Sequence, residues 1–285
     1  TVKINGHGPV SAVFDTGGHK LVSPKLAKSL DLKIEGKLAV GGGGKKAMKA
    51  ELAKADQIEV AGAAMKDQTI IVMPLDSLEY VSGVPMPTMI GYEVFRRFVT
   101  RIDYGAGKMT LIDPGHFDAK DAGTPVPFLF HGQVPQVAGS FEGIPATFDI
   151  DTGSGDDLIL NKPFVTRNAL VAKHPKGVEA VDGWGVGGPI TGYDTRGKAM
   201  TIGSVAVKNI VVSMADQDQG VFSGDDIQGN IGAGILKRFV VTFDYARKTM
   251  YLQPLAHPKG EVGTYDRAGV WINRAPEGLD RKSVV

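Results

Sequence analysis

Cysteine is absent from this chain. That excludes disulfides and thiolate metal sites outright and leaves the redox compartment open. Net charge is almost absent too: 32 Lys and Arg stand against 31 Asp and Glu, +1 overall. Such a balance gives no general electrostatic footprint for nucleic acid or an anionic membrane. No run of eighteen apolar residues occurs, so no membrane-crossing helix is expected. What is abundant is glycine. With 38 Gly, 16 Pro and 42% apolar residues in 285, the composition is that of a turn-rich globular protein of one large or two smaller domains. Thr1-Val2-Lys3-Ile4 already reads as a strand. The natural N-terminus, and any signal peptide, are therefore expected to lie outside the sequence.

The chain contains the same pattern twice. Val13-Phe14-Asp15-Thr16-Gly17-Gly18 recurs as Asp149-Ile150-Asp151-Thr152-Gly153-Ser154, each copy after a hairpin signal, Asn5-Gly6 or Glu142-Gly143. Each is answered about eighty residues on by an apolar-Gly segment, Met89-Ile90-Gly91 or Asn230-Ile231-Gly232. Residues 90–111 fall on 231–252 without a gap, and nine of the 22 positions are identical, among them Arg97/Arg238, Asp103/Asp244 and Tyr104/Tyr245. This period is too long for a solenoid and fits duplication of a whole lobe, with two aspartates meeting at a pseudo-twofold axis.

Most of the remainder reads as β. Residues 58–60, 69–72, 99–104, 205–207, 209–212 and 240–243 are short, β-branched and bounded by turn residues. Short helices are expected at Pro24–Leu30, capped by Ser23, and at Gly91–Phe98 and Gly232–Phe239. Asp113-Pro114-Gly115 and Gly123-Thr124-Pro125 punctuate the chain. The expected division is thus a first lobe at 1–118 and a second at 119–256. A tail at 257–285 is too short for a core of its own.

The triplet suits a catalytic carboxylate. Apolar residues before it place the aspartate at the end of a buried strand, and Gly permits a sharp turn whose N–H groups reach the carboxylate. The Thr hydroxyl is free to hydrogen-bond across the axis. Two carboxyls roughly 3 Å apart cannot both ionise, so they share one proton. The ionised member takes a proton from a water between them and the other donates to a scissile carbonyl. Amide hydrolysis then needs neither a covalent intermediate nor a metal. No cofactor is expected.

These residues resemble those of the aspartic proteases, whose two signatures are the hydrophobic-Asp-Thr-Gly triplet and the distant Ile-Gly segment. The likeness covers about residues 1–254. The endings after Ile-Gly look more like single-chain retropepsin-like bacterial proteins than like pepsin. The resemblance implies an all-β, two-lobed acid-protease fold with a cleft between the lobes and Asp15 and Asp151 as the catalytic pair. Thr16, Gly17, Gly18, Thr152, Gly153 and Ser154 support them. It also implies a flap from each lobe over an extended peptide substrate: residues 39–46 with Gly42, Gly43 and Gly44, and residues 183–188 with Trp184, Gly185 and Gly187. The alternative for these segments is two ordinary Gly-rich hairpin loops.

One position departs from the family pattern, which usually has Ser or Thr after the triplet. Gly18 stands there in the first copy. In the family that hydroxyl bonds the outer carboxylate oxygen, so Asp15 is expected to hold its proton more tightly than Asp151. Gly18 also motivates a rival reading, a non-catalytic peptide-binding or sensing protein on the same fold. Asp103, Asp244 and Asp149 read as structural, and His19 as a solvated loop residue. Trp184 either lines the cleft or packs under its hairpin. Asp216, Asp218, Asp225 and Asp226 read as a solvated acidic loop without calcium-site spacing. Gly44-Lys45-Lys46 lacks the pattern of a phosphate loop, and Gly153 sits where an aspartate-nucleophile phosphatase needs Thr or Val. Residues 263–271 resemble the linker into a PDZ domain in bacterial relatives. Such relatives are typically exported, which implies a periplasmic or cell-envelope location.

Overall fold

The computed structural model describes residues 1–258, apart from Gly42, Gly43 and Lys45, and the strands 270–275 and 278–283. The expected hairpins at Asn5-Gly6 and Glu142-Gly143 both form. In each turn the two central residues take positive φ, +50° and +78° in the first, +48° and +83° in the second. That geometry matches the right-handed twist of the flanking strands. Val2–Ile4 pairs with His7–Val10, and Val134–Phe141 with Ile144–Ile150.

The first lobe is an eight-stranded sheet among the described residues. Its long strands Met48–Val60 and Ala63–Val72 carry the core residues Ile58, Val60, Ile70 and Val72 on alternate positions, the period that sets one face of a strand against a core. The second lobe is built on a twelve-stranded path with a larger core around Phe141, Phe148, Phe164 and Phe243. The chain is thus all-β with two lobes, and its helices are short. Pro24–Ser29 begins where expected, with the Leu26 N–H donating to Ser23 Oγ at 3.2 Å.

Several elements differ from the sequence expectation. The helices after the Gly segments span only Tyr92–Phe95 and Ala233–Leu236, because the chain must turn at once into the strands Val99–Asp103 and Phe239–Asp244. The first of those strands stops before Tyr104, where the Asp103 carboxylate accepts the Ala106 N–H at 2.8 Å and starts the next turn. Residues 205–207 and 209–212 belong to one strand, Val205–Ala215, which keeps its register past Asn209 at φ +54°. The tail strands Val270–Ala275 and Gly278–Ser283 pair with each other. Most of the linker-like stretch 263–271 lies outside the described residues.

Two features position the site. In each half, a strand that ends at or just before an aspartate runs parallel to the strand of its Ile-Gly segment: Ala12–Asp15 beside Thr88–Gly91, and Ile144–Ile150 beside Gly229–Ile231. The halves are then joined by antiparallel pairing of Val99–Asp103 with Phe239–Asp244, in which Arg101 lies opposite Thr242. Those two positions are also equivalent in the 90–111/231–252 alignment. The hairpin 99–112 therefore belongs to the first half in sequence and to the second-lobe sheet in hydrogen bonding.

An aromatic cluster fills the space between this junction and the aspartate strands. Phe95 lies 4.8 Å from Phe14, 5.1 Å from Phe243 and 5.2 Å from Tyr245, ring centre to ring centre. Phe95 is 1% exposed, so Phe95→Ala removes contacts in both lobes together. The expected cost is about 3–5 kcal/mol, read as the shift of the urea unfolding midpoint. A cost below about 1 kcal/mol would mean that the junction does not depend on this ring.

Candidate active site

Each Asp-Thr-Gly segment leaves its strand and turns sharply, and the turn feeds N–H groups to its own carboxylate. Gly17 N–H donates to Asp15 Oδ1 at 3.0 Å. Gly153 and Ser154 N–H donate to Asp151 Oδ1 at 2.8 and 3.1 Å. The Ile-Gly strands pass so close beneath that a side chain is excluded there. A Cβ on Gly91 would lie 1.5 Å from the Asp15 carbonyl oxygen, and one on Gly232 2.3 Å from the Asp156 carbonyl oxygen.

The two turns hold each other through their threonines. Thr16 Oγ1 donates to the Ile150 carbonyl at 2.5 Å and accepts the Thr152 N–H at 3.2 Å. Thr152 Oγ1 donates to the Phe14 carbonyl at 2.7 Å and accepts the Thr16 N–H at 3.0 Å. Thr16 is fully buried. Below them, the buried Tyr245 hydroxyl donates to the Thr16 carbonyl at 2.8 Å, tying the first-lobe turn to the end of the inter-lobe sheet.

This arrangement brings Asp15 and Asp151 to the floor of one cavity of about 720 Å³, within the range of small-ligand and peptide sites. Its roof is the two Gly-rich hairpins, which meet. Gly44 N–H donates to the Val186 carbonyl at 2.9 Å and Lys46 N–H to the Gly187 carbonyl at 3.3 Å. A Cβ on Gly44 would lie 2.1 Å from the Gly187 backbone, so the tips cross only because both are glycine. Trp184 and Gly185 line the cavity, which decides between the two positions considered for Trp184. Gly44 and Gly187 contact each other at the tips and are not part of its wall. Gly42 and Gly43 lie outside the described residues.

Burial and mutual repulsion control the titration of the pair. Asp15 is pushed up to about 7 by burial and then by the charge of Asp151, against the opposing N–H groups of Gly17 and Gly18. Burial also raises Asp151, opposed by Asn230, Gly153 and Ser154. Asp151 thus collects three N–H donors, the third from Asn230 Nδ2 to Oδ2 at 3.1 Å. Donors to a carboxylate favour its charged form.

The role expected for the Ser154 hydroxyl is corrected here. It donates to Asp156 Oδ2 at 3.1 Å, and only its backbone N–H serves Asp151. Asn230 occupies the place the hydroxyl was expected to fill. Gly18 also has a steric reason: a Cβ there would lie 2.7 Å from Asp15 Cγ and Oδ2.

Of the residues read as structural, Asp103 and Asp244 do serve turns, Asp244 pairing with Arg247 at 2.6 Å. In the acidic loop, Asp218 pairs with Lys162 and Asp225 with Arg167. His19 is exposed at the cavity rim. Asp149, also read as structural, pairs with His131 at 3.3 Å and lies along the cavity wall. Sequence reasoning missed Asn230, Asp156 and Tyr245. The available signal for Asn230 was a polar residue in a buried strand where the first copy has Met89. No group of three His, Asp or Glu side chains among the described residues is arranged to hold a metal ion.

Comparison with known proteins gives a partial match. Residues 1–94 match the family model described as aspartyl protease, a stretch that holds the first triplet and its Ile-Gly segment. No curated protein matches the chain. Among solved structures, a retropepsin-like aspartic protease from Rickettsia conorii is similar over 46% of this chain and 92% of its own, at 16% identity and a TM-score of 0.32.

Thr16→Ala deletes one donor and one acceptor between the turns. The expected loss is about 1–3 kcal/mol for each bond, measured by urea unfolding. A variant as stable as the parent would show that the threonines do not hold the turns together.

Proposed function

We propose that this chain is an aspartic endopeptidase of the retropepsin-like kind, with both halves of the catalytic pair on one chain. The observation that carries the reading is the reciprocal Thr16–Thr152 hydrogen bonding, which sets Asp15 and Asp151 together on the floor of a roofed cavity.

The chemistry follows from the unequal surroundings of the two carboxylates. Asp151, with three N–H donors, is the ionised member. Asp15, with fewer donors and the repulsion of its neighbour, keeps the shared proton. A water between them gives its proton to Asp151 as it attacks the peptide carbonyl, and Asp15 protonates the carbonyl oxygen. The tetrahedral intermediate then collapses: the leaving nitrogen takes the proton from Asp151, the C–N bond breaks, and one diol hydroxyl returns its proton to Asp15, which restores the starting state. The flaps supply backbone groups in strand geometry, suited to an extended peptide. The polar-lined floor and apolar walls around Leu21, Leu75, Ile159 and Ile190 suit a peptide rather than a small charged metabolite.

Gly18, the residue that motivates a binding-only reading, does not argue against the catalytic one once its surroundings are considered. Its missing side chain leaves the space that the Asp15 carboxyl occupies.

The test is cleavage of a mixed peptide pool from about pH 3 to 9 by the parent, Asp15→Asn and Asp151→Asn. Cuts by the parent alone are expected. Activity requires one proton on the pair. That proton is held below about pH 7 and lost as pH rises through it, so cleavage should fall on the alkaline side of about 7. Equal cleavage by either variant would contradict the assignment.

A further inference from the structure

The two walls of the cavity differ at positions that the internal repeat equates. Two residues before each catalytic aspartate, and so on the same side of its strand, stand Val13 in the first half and Asp149 in the second, and both line the cavity. Met89 in the first Ile-Gly segment corresponds to Asn230 in the second, and both again line it. The first-lobe wall continues as Leu21, Leu75 and Met86. The second-lobe wall adds a further carboxylate, Asp156, beside an apolar stretch of Ile159, Ile190 and Phe222. Four carboxyl groups therefore face one cavity, with no Lys or Arg among the described residues lining it.

Asp149 is only partly satisfied by the fold. It is 7% exposed. Its Oδ2 lies 3.3 Å from His131 Nδ1. Its Oδ1 makes no hydrogen bond, and burial pushes its carboxyl up to about 6, opposed by the His131 and Gln136 side chains. A buried acceptor left without a donor is costly and calls for a partner. Asp156 is partly exposed. Ser154 Oγ donates to one of its oxygens, while burial and then the like charges of Asp194, Asp151 and Asp157 push its carboxyl up to about 6. Asp157 is in turn matched by Arg238 at 3.0 Å, which leaves Asp149 and Asp156 as the carboxylates of this wall without a basic side chain other than His131.

We propose that the second-lobe wall is a cation-recognising subsite, in which Asp149, assisted by Asp156, binds the lysine or arginine side chain of a substrate residue beside the bond to be cut. The opposite subsite, walled by Val13, Leu21 and Met89, takes an apolar side chain. This inference rests on the endopeptidase reading and names its substrate class. A peptide cation entering here supplies the donors that this wall lacks. It also reduces the repulsion among carboxylates gathered around the pair.

The experiment compares peptides that differ only in lysine or norleucine, placed in turn at each residue flanking the cut bond. Norleucine keeps the length of the lysine stem and removes the charge. With the parent protein at pH 6.5, lysine should be preferred at one flanking position by about ten- to a hundredfold in kcat/KM, the size of one charge-assisted hydrogen bond. In Asp149→Asn that ratio should fall toward one. Asp156→Asn, a second variant that stands if the first fails to fold, should lower it severalfold. The readout is a ratio within one variant, so a general loss of activity does not mimic the effect. Cleavage by the parent with no preference for lysine at either position overturns the subsite while the endopeptidase reading stands. Absence of all cleavage counts against that reading. The subsite is then decided by binding of the same peptide pair to Asp15→Asn in calorimetry, where equal affinities overturn it.

Discussion

The exchange of hydrogen bonds between Thr16 and Thr152 is the constraint on which the rest of the site depends. Four bonds connect two turns that lie 136 residues apart in the chain, and each threonine uses both its backbone N–H and its hydroxyl. Bonds buried at this depth are strongly directional, and leaving one unmade costs more than making it gains. The turns therefore cannot slide past one another without leaving several groups unpaired. The inter-lobe strand pairing and the Tyr245 hydroxyl hold the same junction from below. The Gly91 and Gly232 strands press against the turns from the side.

A frame that is symmetric in backbone carries side chains that are not. Asn230 and Met89, Asp149 and Val13, Ser154 and Gly18 occupy matching places, and in each pair the second half holds the polar member. The polar members collect around Asp151 or on its wall. Two carboxylates in identical surroundings would share a proton evenly. Here the donors favour charge on Asp151, so the two carboxylates differ before any substrate binds, as the proposed division into acid and base requires.

Much of this was legible in the sequence, for physical reasons. The doubled triplet and the gapless 90–111/231–252 match exposed the frame, because close backbone contacts at Gly91 and Gly232 admit no other residue. The hairpin turns were legible because paired left-handed residues favour Asn-Gly and similar pairs. The strand ends and short helices were less so: the turn after Val94 is dictated by where strand 99–103 must go, which is a tertiary demand. The site's asymmetry was legible only in part. Gly18 was visible as a departure, but its consequence was assigned to the Ser154 hydroxyl, and that hydroxyl turns to Asp156. Asp149 looked structural because alternation along a strand tells which side a residue faces and not what fills that side.

The most direct test is a titration of the two carboxyl groups by carbon NMR in aspartate-labelled protein, with Asp15→Asn and Asp151→Asn used to assign the signals. The account predicts two coupled steps, with one proton kept on the pair until about pH 7 and lost earlier when either partner is replaced by Asn, since the repulsion that adds to burial in holding it is then removed. Two independent titrations near the ordinary aspartate value of about 3.9 would mean that the turns do not hold the carboxylates together, and the account of this site would be wrong.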